Sequence, residues 1–155
     1  MTDFNDLLVP EAVSITSSVT NKKQLFQKIG EMAEQASGLS ASEVYDRLME
    51  RERLGSTGFG AGIAIPHAKI DGLDRVCGFV LRLENAIPFD AVDDAPVDIV
   101  FSLLSPADSG SVHLKTLARV SRYLRNDQNA ARIRGAGSEE ALLALLVGDE
   151  ARDAA

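Results

Sequence analysis

The sequence predicts an α/β protein in which a mixed β-sheet is flanked by helices on both faces. Two nearly continuous apolar runs, residues 76–83 and 97–104, read as strands covered on both sides. Around them, apolar residues recur at intervals of three and four, the period of helices that each present one face to a core. No linker, repeat or low-complexity tract separates these signals, so residues 1–155 are expected to form one domain.

Each element has its own signal. Thr20 or Asn21 can cap a first helix whose stripe is Leu25, Ile29, Met32, Ala33 and Ala36, ending at Gly38. Ser40 or Ser42 opens a second, with Val44, Leu48 and Arg51 at i, i+4 and i+7, closed by Gly55. Arg51 therefore falls on the stripe that faces the core. The glycine-dense residues 55–62 read as a turn feeding a short strand that ends at Pro66 and His67. Beyond the strand at 76–83, residues 86–89 add a bend or an edge strand, and Asp93-Asp94 sits in an exposed connection. Past Pro106 a third helix carries Leu114, Leu117, Val120 and Leu124. A fourth, short helix spans residues 127–134, a fifth spans 138–147, and residues 150–155 are expected to fray.

Charge and composition remove several classes of function. Sixteen Lys and Arg against 23 Asp and Glu give a net charge of −7, which argues against neutralising many nucleic-acid phosphates or docking on an anionic membrane. The acidity is uneven. Residues 1–50 carry −4 (four cations, eight acids) and residues 76–110 carry −5 (one against six), while 51–75 and 111–155 each carry +1 (four against three, seven against six). Both histidines lie in the two blocks that escape the acidity. One cysteine, Cys77, leaves no intrachain disulfide and points to a reducing compartment. No apolar run reaches the length of a membrane span, and the N-terminus lacks the pattern of a signal peptide, so the expected location is the cytoplasm.

Three features could carry chemistry. The glycine segment fails both nucleotide signatures: Ala61 stands where a Walker loop needs lysine, and Ile63 where a Rossmann fingerprint needs glycine. It is either a tight turn or a place where backbone N–H groups approach an anion. His67, fixed behind Pro66, is either a satisfied polar residue or a neutral imidazole whose free lone pair can attack phosphorus. His113, on the flank of the third helix's stripe, is either structural or turned toward whatever the sheet end presents. Two histidines and one cysteine without metal-ligand spacing make a metal site a poor reading, and no Gly-x-Ser-x-Gly suggests a serine hydrolase.

Residues 51–69, Arg-Glu-Arg-Leu-Gly-Ser-Thr-Gly-Phe-Gly-Ala-Gly-Ile-Ala-Ile-Pro-His-Ala-Lys, closely resemble the active-site signature of the fructose/mannitol-type enzyme IIA family of the bacterial phosphotransferase system, and within it the nitrogen-regulatory branch. The run from His113 to Ala118 resembles the family's second-histidine helix, and the likeness covers nearly the whole chain. The resemblance implies that His67 is the phosphoacceptor, loaded at Nε2 from a phosphohistidine on an HPr-like carrier protein. It implies that His113 is the assisting histidine and Arg51 the active-site arginine. Ser56, Thr57, Gly58, Gly60 and Gly62 would complete a phosphate loop, with no metal or cofactor. Phe59, Ala61 and Ala68 depart from the residues common in relatives; they bear on loop packing or donor preference and remove no group that the chemistry requires.

Phosphoryl transfer between imidazoles asks mainly for in-line positioning and for stabilisation of the equatorial oxygens, which a guanidinium fork suits. The family reading further implies a regulator whose phosphorylation state changes the proteins it binds, acting on nitrogen, potassium or carbon control. The alternative is a sugar-transport component that hands its phosphate to a IIB partner. A binding module without phosphotransfer is a third possibility, opposed by the presence of both histidines and the arginine.

Overall fold

The computed structural model describes residues 3–154, with side chains described to residue 148. A 3-10 turn (Pro10–Ala12) leads into β1 (Val13–Thr16), followed by α1 (Lys22–Ser37) and α2 (Ala41–Arg53). Three short strands, β2 (Gly58–Gly60), β3 (Ile63–Ala64) and β4 (His67–Ile70), precede the long β5 (Cys77–Ile87) and β6 (Val97–Pro106). Helices α3 (Ser111–Leu124), α4 (Asp127–Gly135) and α5 (Glu139–Ala154) complete the order.

The sheet runs β1-β5-β6-β3-β2, and β4 continues the line of β3 along β6. Strand β1 is parallel to β5, β3 and β4 are parallel to β6, and the β5–β6 and β2–β3 pairs are antiparallel, so the sheet is mixed. Helices cover both faces. Cys77 of β5 meets Ser37 of α1 on one side, while Arg82 of β5 and Ser105 of β6 reach α4 and His113 of α3 on the other. That double cover explains why Phe79, Val80 and Leu81, whose side chains alternate between faces, are all buried.

The helix ends follow the capping residues. Asn21 Oδ1 accepts from the Gln24 amide at the start of α1, Gly38 closes it in the left-handed conformation, and Ser40 Oγ caps α2.

Several expectations need correction. The glycine segment is not a simple turn: it folds as the β2–β3 hairpin, and His67 begins β4 instead of ending a strand, because Pro66 interrupts the pairing with β6. Residues 86 and 87 extend β5 past a register shift. Strand β1, only four residues long, is not among the expected elements. The buried stripe of α3 is His113, Thr116, Val120, Tyr123 and Leu124, whereas Leu114 is 65% exposed. Residues 150–154, expected to fray, continue α5 beyond a break at Gly148 (φ 84°); Ala155 lies outside the described residues.

Candidate active site

The C-terminal turn of α2, the start of β4 and the first turn of α3 converge on an open depression of about 450 Å³. Arg51, His67, Lys69 and His113 line it, together with Arg47, Glu50 and Leu54. Strand β4 delivers His67 opposite Leu103 of β6, and β6 runs on to Ser105, against which His113 is seated. The sheet thereby brings together two histidines 46 positions apart, their ring centroids 5.5 Å from each other and their planes tilted by 48°.

Hydrogen bonds decide the state of His67. Its Nδ1 lies 2.8 Å from the carbonyl oxygen of Ile65, which can only accept, so the proton of the neutral ring resides on Nδ1. The lone pair is then on Nε2, and Arg51 Nε–H donates to it at 3.3 Å. Burial lowers the pKa of His67; the Ile65 carbonyl opposes this, the Arg51 charge adds to it, and Glu52 pulls the other way. The pKa of His113 is lowered too, by burial first and then by His67 and Lys69. Both rings are therefore kept neutral, and a neutral ring is what nucleophilic attack requires.

Arg51 is anchored at its other end, with Nη1 donating to the carbonyl of Gly55 at 2.9 Å. Arg47, Arg51 and Lys69 stand against Glu50 alone among the charges lining the depression, and Glu50 is itself paired with Arg47 at 3.2 Å. A cationic floor within an acidic protein suits a phosphoryl group.

The structure brings Arg51, His67 and His113 together. Of the expected phosphate loop, Ser56, Thr57, Gly58, Gly60 and Gly62, no residue lines the depression, and both hydroxyls are bonded elsewhere. The Ser56 hydroxyl donates to the Phe89 carbonyl and accepts from the Gly58 amide. The Thr57 hydroxyl and amide both donate to Glu52. Gly60 and Gly62 belong to the hairpin tip, beside Asp93, Asp98 and Arg134 and outside the lining of the depression. Ser105, Lys69, Glu52 and Leu54 were not singled out by the sequence. The signal for Ser105 was a hydroxyl at the end of an apolar strand.

The family model described as "Phosphoenolpyruvate-dependent sugar phosphotransferase system, EIIA 2" matches residues 6–148. The chain belongs to this family. It shares 39% identity over 143 residues with the nitrogen regulatory protein of Bradyrhizobium diazoefficiens, covering 92% of this chain and 94% of the relative. The nitrogen regulatory protein IIA-Ntr of Neisseria meningitidis superposes with a TM-score of 0.86 at 32% identity, over 92% of this chain and 98% of that one. A mannitol enzyme IIA of Escherichia coli, solved in complex with phosphorylated mannitol enzyme IIB, has the same fold at 16% identity, with a TM-score of 0.73 over 90% and 96% of the two chains. As a family member the chain is a phosphotransferase component, and its fold is that of the IIA proteins. Among the described residues no helix is long and apolar enough to cross a membrane.

Proposed function

We propose that this chain is a cytoplasmic phosphocarrier that accepts a phosphoryl group on Nε2 of His67 from the phosphohistidine of an HPr-like carrier. In its two phosphorylation states it binds different regulatory targets. The observation that carries the reading is the tautomer of His67: Ile65 holds the proton on Nδ1, so the nucleophilic lone pair is the one that faces Arg51.

The step balances without a further reactant. The Nε2 lone pair forms the new N–P bond as the bond to the carrier's ring nitrogen breaks, and that electron pair returns to the carrier's ring. Nδ1 keeps its proton throughout, and the Ile65 carbonyl stabilises the positive charge that the ring gains. Arg51, already donating to Nε2, shifts its donors to the equatorial oxygens, and His113 supplies a further N–H.

A regulatory role is favoured because the chain is 39% identical over 143 residues to a nitrogen regulatory protein, against 31% over 147 residues to the fructose-specific EIIA component of Haloferax volcanii. A phosphoryl group adds about two negative charges to a small patch, enough to change which surface docks there. The second reading, passage of phosphate to a IIB partner of a sugar system, draws on the sugar phosphotransferase description of the family.

Incubation with a radiolabelled phospho-carrier tests the acceptor. His67→Ala is expected to abolish labelling, and His113→Ala to leave a slower or less stable phosphoform. The wild-type adduct is expected to be acid-labile and base-stable. Undiminished labelling of His67→Ala, or an acid-stable adduct, excludes the assignment.

A further inference from the structure

Glu52 occupies a position that opposes its charge twice over. Its side chain is only 5% exposed, and it lies in the last turn of α2, where the helix dipole disfavours an anion. The carboxylate is nonetheless fully engaged. Oε1 accepts from the Thr57 hydroxyl at 2.6 Å, Oε2 accepts from the Thr57 amide at 3.1 Å, and Lys22 Nζ stands 3.0 Å from Oε2.

Thr57 is the pivot of two routes to the reacting nitrogen. Its carbonyl accepts from the Ile65 amide at 3.1 Å, and the Ile65 carbonyl is the acceptor that fixes His67 Nδ1. On the other side, the turn that Thr57 closes carries the Gly55 carbonyl, which holds Arg51 Nη1. The two routes meet where Arg51 Nε donates to His67 Nε2.

We infer that Glu52 is a positioning residue for phosphoryl transfer: by holding Thr57 it sets the His67 ring and the Arg51 guanidinium in register with each other. The inference rests on His67 being the phosphoacceptor. Glu52 touches no reacting atom: it positions through Thr57, and separately its charge raises the pKa of His67. Its adjacency to Arg51 follows from helix geometry, since neighbours on a helix point about 100° apart, one into the depression and one beneath the turn.

Three variants of the full chain test this: Glu52→Ala, Glu52→Gln and Thr57→Val. Glutamine keeps an oxygen for the Thr57 donors and loses the charge toward Lys22, so it is the conservative rescue. In the unphosphorylated protein, nitrogen NMR reads the His67 tautomer and the Arg51 Nε–H signal. Glu52→Ala is expected to give mixed tautomers and a shifted, weakened Arg51 signal, with single-turnover transfer from a phosphorylated HPr-like carrier slowed about 100-fold and the carrier's KM little changed. Glu52→Gln should recover the single tautomer and most of the rate. A folded Glu52→Ala protein with wild-type tautomer, Arg51 signal and rate overturns the inference. Should Glu52→Ala fail to melt cooperatively, Thr57→Val, which removes one donor only, takes its place: mixed tautomers and slowed transfer support the positioning role, and wild-type values of both overturn it. Labelling that survives His67→Ala sinks the acceptor assignment instead; the tautomer measurement still decides whether Glu52 sets the ring.

Discussion

The hydroxyl of Ser105 lies 2.5 Å from Nδ1 of His113, in a contact closed to solvent. It differs in kind from the contact of Ile65 with His67, because a hydroxyl can donate or accept whereas a carbonyl only accepts. His67 is thus locked in one tautomer, while His113 can take either without losing its partner. When Ser105 donates, Nε2 of His113 carries the proton and can give it to a phosphoryl oxygen. Ser105→Ala removes that option and leaves a buried ring nitrogen unpaired, at about 1–3 kcal/mol of stability. The expected outcome is a lower melting temperature and a phosphohistidine at position 67 that decays about tenfold faster, followed by phosphorus NMR.

Both active-site imidazoles have pKa values below the ordinary 6.5, through burial first. Transfer should therefore hold its rate as pH falls to about 6.5 and decline only in more acid solution, when Nε2 of His67 becomes protonated. The stability effect has a fixed sign. The unfolded chain takes up protons near pH 6.5 while the folded one resists, so stability present above that value is lost as pH falls toward the folded pKa values. A double His67→Ala, His113→Ala variant should lose less melting temperature than wild type between about pH 7.5 and about pH 5.5. Equal losses would mean that neither histidine contributes.

Much of this arrangement could be read from the sequence, for identifiable reasons. Strands β5 and β6 announced themselves as apolar runs, and α1 and α2 as capped periodic stripes, since both signals are local. His67 and His113 stood out by residue type, and the likeness of residues 51–69 and 113–118 to the family's signatures joined Arg51 to them. The partners that set their states did not, because Ser105 acts on His113 through a sheet-to-helix contact, and Ile65 acts on His67 through its backbone. Composition left the glycine segment open between two readings: glycines that let a chain approach an anion are the same residues that let a hairpin turn tightly. Only the destination of each amide separates the two, and that is a tertiary fact.

Large apolar side chains stand exposed in and beside the depression. Leu54, in its lining, is 84% exposed, and Val112 and Leu114, on either side of His113, are 55% and 65% exposed. Grouped exposure of large apolar side chains beside a reactive nitrogen fits docking of a protein donor. Leu54→Ser and Leu114→Ser should change stability by less than about 0.5 kcal/mol. Each should raise the KM for the phosphorylated carrier about tenfold while leaving the acid-lability of the adduct unchanged. A KM equal to wild type in both would place the docking surface elsewhere.

Gly62 separates a structural role for the glycine hairpin from a phosphate-binding one. It sits at φ 81°, and a Cβ there would lie 2.6 Å from Arg134 Nη2 and 2.9 Å from Asp98 Oδ1. Those two side chains are paired at 2.8 Å, and Arg134 also donates to the Ala61 carbonyl at 2.8 Å, so the hairpin tip is clamped to α4 and β6. Gly62→Ala must strain the backbone and push the ion pair away, at about 1–3 kcal/mol. The variant should melt several degrees lower yet accept phosphate on His67 at the wild-type rate when assayed well below its melting temperature. Were the glycines a phosphate cradle, the same substitution would abolish labelling in a chain that remained folded.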